Sequence, residues 1–136
     1  MASALSCKTL PYKEVCLELR ASPNLNLYDG QPHVVNVYIF PLSSSQGFKK
    51  TSVEDLLDDA RPPGVVSAPV NITVAPGQEE IEFEDTFPPN TVQLGVLADY
   101  YREEGDIRGQ RKLVVEARCG RKAPKLLLSP KDISLD

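Results

Sequence analysis

The sequence predicts an all-β protein, a two-sheet antiparallel β-sandwich of seven to eight strands with one short helix in a long excursion between strands. Short segments alternate apolar and polar residues with the period of two that a half-buried strand requires. Turn signals separate these segments, and the 136 residues include 12 prolines and no tryptophan. We expect residues 13–136 to form a single sandwich domain and residues 1–12 to form an N-terminal tether.

The first two predicted strands flank a polar connector. In "KEVCLELR", residues 13–20, Val15, Leu17 and Leu19 share one face and polar side chains occupy most of the other. The segment "HVVNVYIFPL", residues 33–42, is apolar on both faces at its far end, which predicts a position near the centre of a sheet.

One helix of about two turns is predicted after residue 50. Thr51 and Glu54 have the spacing of a capping box, in which each side chain satisfies a free backbone N–H at the helix start. The prolines 62 and 63 end the helix. The side chains expected to cover a sheet end or edge are Val53, Leu56 and Leu57.

Six further strands complete the prediction. They are expected within residues 69–75, 79–87, 91–101, 112–119, 125–128 and 132–135. Pro76 and Gly77 suit the middle of a type II turn, because glycine tolerates the positive φ needed there. In the strand at 91–101, the expected inward residues are Val92, Leu94, Val96 and Ala98.

The three cysteines, Cys7, Cys16 and Cys119, have no spacing typical of a zinc site. A Cys16–Cys119 disulfide with one spare thiol is possible in an oxidising compartment. Strand phase argues against it, because Cys119 shares the inward phase of Val115 whereas Cys16 shares a face with Glu18. Buried or half-buried thiols are the favoured interpretation, and a bridge would need a bulge or a strand end.

Side chains suited to catalysis or metal binding are scarce. His33 is the one histidine and lies at a loop–strand junction, and no nucleophile, P-loop or dinucleotide motif is present. The pairs Asp58–Asp59 and Glu103–Glu104 lack the spaced carboxylates of a calcium cage. The net charge of −4 disfavours nucleic acid as a partner. We therefore expect no enzyme, metal, cofactor or small-molecule substrate.

Membrane and export signals are also absent from the sequence. No apolar run approaches the roughly 18 residues of a spanning helix, and the N-terminus lacks the pattern of a signal peptide. The protein is expected either to stay inside the cell or to have had its signal replaced by residues Met1–Ser3.

The connector "RASPNLNLYDGQP", residues 20–32, carries Leu25 and Leu27 between asparagines. In one interpretation the loop folds back and plugs the end of the sandwich. In the other, the leucines form an exposed apolar contact in a rigid loop, with Asn24 and Asn26 fixing the turn through side-chain-to-backbone hydrogen bonds.

The segment at residues 17–42, "LELRASPNLNLYDGQPHVVNVYIFPL", resembles the TssJ (SciN- and VasD-like) lipoprotein family of bacterial type VI secretion systems. The matching positions are Ala21, Ser22, Leu25, Asn26, Gly30, Pro32, Val35, Val37, Tyr38 and Leu42. Later landmarks are Phe48 before "VEDLL", "VAPGQ" at 74–78 and "LGVLADYY" at 94–101, so that the resemblance runs from about Val15 to Ala117.

The resemblance implies a transthyretin-like sandwich and a non-catalytic periplasmic subunit, held on the inner leaflet of the outer membrane by a lipidated cysteine. Cys7 is the candidate for lipidation. The resemblance also implies that the loop between the first two strands binds the periplasmic C-terminal region of the inner-membrane protein TssM. Leu27 stands where the family often has proline, so the loop path is expected to differ. The expected binding residues are Ser22, Asn24, Leu25, Asn26, Leu27 and Asp29.

Two other classes remain open. A generic extracytoplasmic binding or adhesion module would group exposed aromatic residues on one face, whereas Tyr100 and Tyr101 are expected on opposite faces of a strand. A transthyretin-like hydrolase would need several histidines. Charged replacements of Leu25 and Asn26 separate the loop interpretations: an exposed contact predicts a folded chain without partner binding, and a plug predicts unfolding.

Overall fold

The computed structural model describes residues 11–106 and 108–136, and within them it contains eight strands in two four-stranded sheets. The strands are β1 (Lys13–Ala21), β2 (Val35–Leu42), β3 (Val70–Val74), β4 (Ile81–Phe87), β5 (Gln93–Ala98), β6 (Lys112–Glu116), β7 (Lys125–Leu128) and β8 (Ile133–Leu135). The strand orders are β4-β1-β7-β8 and β3-β2-β5-β6. Neighbouring strands are antiparallel, except that β1 and β7 are parallel. The prediction of an all-β sandwich is confirmed.

The main core lies between the two sheets. Alternation along β1 turns Val15, Leu17 and Leu19 inward, and antiparallel pairing with β4 sets Leu17 opposite Phe83. The central strand β2 sends Val37 into the same core. Full burial of an aliphatic side chain contributes roughly 1.5–3 kcal/mol, so this alternation supplies much of the driving force for the sandwich.

Strand β5 is buried on both faces, because one face packs in the main core and the other lies in a second apolar cluster under the helices. Leu94 and Val96 point into the main core as expected, and Leu97 is buried on the opposite face. The expectation that Val92 points inward is wrong, since 55% of its surface is exposed. Val92 precedes the first paired residue, Gln93, and the alternation of the strand does not extend to it.

Two short helices, α1 (Gln46–Lys50) and α2 (Val53–Leu57), replace the single predicted helix. The N-cap of α2 is Ser52, whose Oγ accepts a hydrogen bond from the Asp55 N–H at 3.1 Å. Thr51, expected to be the cap, instead donates from Oγ1 to the Gly47 carbonyl at 2.8 Å and so closes α1. A cap needs an extended backbone and a free donor two or three residues ahead, and Ser52 meets both conditions.

The helices cover the outer face of the β3-β2-β5-β6 sheet rather than a sheet end or edge. A second apolar cluster forms there from Phe40, Leu42, Phe48, Val53, Leu56 and Leu97. Lys112 of β6 fixes α1 on this face, because its Nζ donates to the carbonyls of Phe48 at 2.7 Å, Lys49 at 3.0 Å and Thr51. Burial lowers the pKa of the Lys112 amine.

A disulfide joins Cys16 of β1 to Cys119, with their Cα atoms 4.8 Å apart. The interpretation of free thiols is therefore wrong. The prediction from strand phase failed because β6 ends at Glu116 and its alternation does not reach Cys119. The chain then turns towards β1, where the Cys16 N–H donates to the Arg118 carbonyl at 3.2 Å. The bond ties the segment between β6 and β7 to the opposite sheet.

Candidate partner-binding surface

The β1–β2 loop (residues 22–34) closes one end of the sandwich and contains a tight turn. Tyr28 and Gln31 exchange two backbone hydrogen bonds of 3.1 and 3.0 Å across Asp29 and Gly30. Both central residues have positive φ, 54° and 73°, as a type I′ turn requires. The Asp-Gly dipeptide favours this turn, because Gly has no Cβ and Asp tolerates the left-handed region.

Leu25 is fully buried in the main core. Its carbonyl accepts a hydrogen bond from the His33 N–H at 2.9 Å, so the loop folds back over the end of the sheets. The expectation of an exposed docking contact at Leu25 is therefore wrong, and the plug interpretation describes this residue. The core would otherwise be open to water beyond the last residues of the strands.

Asn26 is also buried, with 7% of its surface exposed, and its side chain links three segments. Its Oδ1 accepts from the Tyr101 N–H at 2.8 Å, and its Nδ2 donates to the Val34 carbonyl at 3.0 Å. The backbone φ of +49° suits asparagine better than most residues. Asn26 therefore fixes the loop against the chain that follows β5, and its burial differs from the expected exposed contact.

Three rings, those of Tyr28, His33 and Tyr101, stack beside the loop; we call them the aromatic cluster. The ring centroids of Tyr28 and His33 are 3.6 Å apart with 7° between planes, and those of Tyr28 and Tyr101 are 4.3 Å apart with 30° between planes. His33 Nδ1 lies 3.1 Å from the Asn26 carbonyl oxygen. Stacking and hydrogen bonding together hold the rings in one place.

We define the candidate docking surface, hereafter the docking surface, as seven exposed or half-exposed side chains, six of the β1–β2 loop and one beside it: Ser22, Asn24, Leu27, Tyr28, Asp29, Val34 and Tyr101. Val34 is 54% exposed and Tyr101 is 50% exposed. Sequence reasoning placed Ser22, Asn24, Leu27 and Asp29 here and missed the rest. Tyr101 comes from a distant part of the chain, and no local pattern in the sequence indicates its stack with Tyr28.

Polar contacts beneath Tyr101 hold the β5–β6 connection. Tyr100 is buried and its hydroxyl donates to the Asp132 carbonyl at 2.7 Å, and burial raises the pKa of that hydroxyl. Arg102 Nη2 donates to the Lys131 carbonyl at 2.7 Å. Farther along, hydrogen bonds from Arg108 lower the pKa of the Asp106 carboxyl to about 2. These contacts give Tyr101 a fixed position on an otherwise irregular segment.

The profile of the type VI secretion lipoproteins, described as VasD, EvfM and TssJ, matches residues 13–126. The chain belongs to this family. Its members are described as type VI secretion lipoproteins, and they are here called the type VI lipoproteins.

Solved type VI lipoproteins have the same fold. TssJ1 from Pseudomonas aeruginosa is 26% identical, with a TM-score of 0.73 over 93% of this chain and 96% of that one. Lip from Serratia marcescens, described as a membrane-bound component of the type VI secretion system, is 15% identical, with a TM-score of 0.77 over 93% of this chain and 98% of that one.

A third solved structure with a similar fold is described as the TssM C-terminal domain from EAEC. The matched chain in it is 18% identical, with a TM-score of 0.71 over 91% of this chain and 98% of that one. At this identity the likeness concerns the fold alone. Among curated proteins no sequence matches the chain.

The structure covers some, but not all, of the other features predicted from the sequence. Cys7, the candidate for lipidation, lies outside the described residues. In residues 11–106 and 108–136, no helix is long and apolar enough to cross a bilayer. Over the same two ranges, no three His, Cys, Asp or Glu side chains come together in a way that could hold a metal ion.

Proposed function

We propose that this type VI lipoprotein binds the periplasmic C-terminal region of TssM through the docking surface, and that a lipid on Cys7 attaches it to the inner leaflet of the outer membrane. In this proposal residues 1–12 are the tether and residues 13–136 are the binding domain. The chain would then connect TssM, an inner-membrane protein, to the outer membrane without catalysing a reaction.

The observation that carries the proposal is the rigid display of apolar and aromatic side chains at the β1–β2 loop. Leu25 and Asn26 lock the loop from inside, so that Tyr101 and Val34 are presented on a fixed backbone. Rigid aromatic side chains lose little conformational entropy on binding and are frequent energetic centres of interfaces. Exposed polar neighbours such as Asn24 and Asp29 supply the rim that a specific interface needs.

The choice of TssM as the partner is supported by the family and by the descriptions of two solved structures with this fold. A chain with this fold occurs in a structure described as the TssM C-terminal domain, and another occurs in a structure described as the type VI membrane complex. The second of these has a TM-score of 0.77 at 18% identity and covers 91% of this chain.

A carbohydrate-binding module is a weaker alternative, although the aromatic cluster resembles the grouping that such a module would use. Tyr28 is stacked on both His33 and Tyr101, so its ring faces are already covered. Sugar-binding platforms need open ring faces, and of the three rings Tyr101 is exposed whereas Tyr28 and His33 are only half-exposed.

The test is calorimetric titration of the chain with the periplasmic C-terminal fragment of TssM from the same bacterium. Tyr101→Ala removes an exposed ring but keeps the backbone N–H that Asn26 accepts. We expect it to weaken binding about tenfold or more, as loss of an interface anchor does. Val34→Asp should weaken binding similarly, because it places an unpaired charge in the interface.

Tyr12→Ala is the matched control, since Tyr12 is 39% exposed and lies at the other end of β1. It should bind TssM as the unaltered chain does. Unchanged binding by folded Tyr101→Ala and Val34→Asp would move the interface away from the β1–β2 loop. No binding by the unaltered chain would reject TssM as the partner.

A further inference from the structure

The end of the sandwich opposite the docking surface carries a cluster of basic side chains, which we call the basic surface. Its members are Lys13, Arg118, Arg121 and Lys122, and they line one shallow depression. Lys13 starts β1, and Arg121 and Lys122 belong to a 3-10 turn before β7. Glu14 lines the same depression, and Arg118 Nη2 lies 4.0 Å from Glu116 Oε1. The cations therefore outnumber the carboxylates at this place.

The basic surface contrasts with the charge of the whole chain. The sequence has 15 Lys and Arg against 19 Asp and Glu, a net charge of −4. An anionic surface would repel most of the protein and attract this end. Glu84 and Asp85 line a neighbouring depression on the β4 side, which that surface would repel. Phe87 of β4 pairs with Lys13, so β4 lies beside the basic surface, and charge favours a tilt that turns Glu84 and Asp85 away from the anionic layer.

The chain enters the described structure at this same end. Tyr12 precedes Lys13 and is 39% exposed, and tyrosine favours the interface between membrane and water. Cys7 lies six residues before Lys13. An extended chain spans about 3.3–3.6 Å per residue, so a lipid on Cys7 would hold the basic surface within roughly 20 Å of the bilayer.

We infer that the basic surface binds the anionic headgroups of the bilayer to which the lipoprotein is attached. Acyl chains and polybasic patches act together in stable membrane anchoring. Each Lys or Arg near an anionic leaflet strengthens binding by about fivefold. The expected orientation of the basic surface towards the membrane rests on the proposed lipid on Cys7. The attraction of the unmodified chain to anionic vesicles does not depend on that lipid.

The basic surface leaves the docking surface free. Strand β1 has nine residues and runs from Lys13 to Ala21, where the β1–β2 loop begins. At about 3.3 Å per residue, Lys13 of the basic surface lies roughly 26 Å along this strand from the start of the loop. The lipoprotein can therefore rest on a membrane and present Tyr101 away from it.

Co-sedimentation of the 136-residue chain with vesicles tests the inference. We expect binding to vesicles that contain phosphatidylglycerol, weakening with added salt, and little binding to phosphatidylcholine alone. The triple variant Arg118→Glu, Arg121→Glu and Lys122→Glu should lose roughly a hundredfold in partition. Equal binding to both kinds of vesicle would overturn the inference.

A second triple variant, Lys49→Glu, Lys50→Glu and Arg61→Glu, is the matched control. It makes the same change in net charge at exposed positions outside the depression, and it should keep most of the vesicle binding. An equal loss in both variants would show that net charge alone matters and would contradict a defined basic surface. Full competition by free glycerol phosphate would show a small-phosphate site in place of a bilayer contact.

Both triple variants should still bind the TssM fragment, because none of the substitutions lies on the docking surface. Vesicle binding and TssM binding are therefore independent results. Absence of vesicle binding would overturn the inference about the basic surface. Absence of TssM binding by the unaltered chain would overturn the proposed partner.

Discussion

Asn24 and Asn26 stand two positions apart in the β1–β2 loop and have different surroundings. Asn24 is exposed, and its backbone N–H donates to Ser22 Oγ at 3.1 Å. Asn26 is buried, and its amide satisfies the Tyr101 N–H and the Val34 carbonyl. A buried polar group that loses its partner costs roughly 1–3 kcal/mol, because water cannot replace the lost hydrogen bond. The stability of the loop therefore depends on Asn26.

Asn26→Ala is expected to lower the free energy of unfolding by about 1–3 kcal/mol, since two partly buried backbone groups lose a partner and alanine must adopt a positive φ. Asn24→Ala, the matched control, should stay within about 0.5 kcal/mol of the unaltered chain. Urea denaturation followed by circular dichroism measures both. Similar stabilities for the two variants would show that Asn26 does not hold the loop.

The helices α1 and α2 depend on the sheet beneath them. Phe48 lies directly over Gly95 of β5, and a Cβ built on Gly95 would come within 2.7–2.8 Å of the Phe48 ring. Glycine is required there by this close approach, not by its backbone conformation. Arg111 adds a link from the sheet side, with Nη2 2.6 Å from the Glu54 carboxylate of α2.

Gly95→Ala should destabilise the protein by about 1–3 kcal/mol, because the new methyl group displaces the ring that anchors α1. In a Phe48→Leu background the same substitution should cost less, since the smaller side chain leaves room. A double-mutant cycle from thermal unfolding measures this coupling. Additive effects would mean that Phe48 does not occupy the space above Gly95.

Across the whole molecule, the disulfide between Cys16 and Cys119 closes a long loop. The two cysteines are 103 residues apart in sequence, so the bond restricts most of the unfolded chain. Cys16→Ser with Cys119→Ser should lower the free energy of unfolding by about 2–5 kcal/mol. Denaturation of the unaltered chain with reductant should give the same loss, and the double variant should show no further change on reduction. A reductant-sensitive double variant would rule out this pairing.

Much of the sandwich could be predicted from the sequence, because strand alternation is local. Leu17 and Leu19 identify the inward face of β1 by spacing alone, and the apolar far end of β2 indicates its central place. The choice of Ser52 over Thr51 as the cap depended on the presence of α1, which Thr51 closes through the Gly47 carbonyl, and residue spacing does not specify this. Strand phase also failed at Cys119, which lies beyond the end of β6.

The candidate site was only half predictable. The sequence marked the β1–β2 loop but left open whether Leu25 faced water or the core, because an apolar residue suits both. Tyr101 joins the surface through contacts with Tyr28 and Asn26, which are more than 70 residues away in sequence. Such contacts depend on the packing of the two sheets, and no local pattern contains them.

The position of β1 in its sheet has a consequence for how the chain folds as it emerges from a ribosome or a translocation pore. β1 is the first strand, yet its neighbours are β4 and β7, which begin at Ile81 and Lys125. Pairing Leu19 with Ile81 and with Leu126 requires closure of long loops, which slows folding. During N-to-C emergence, the two backbone edges of β1 stay unpaired until β4 and β7 have appeared, and until then they are open to aggregation or to a chaperone.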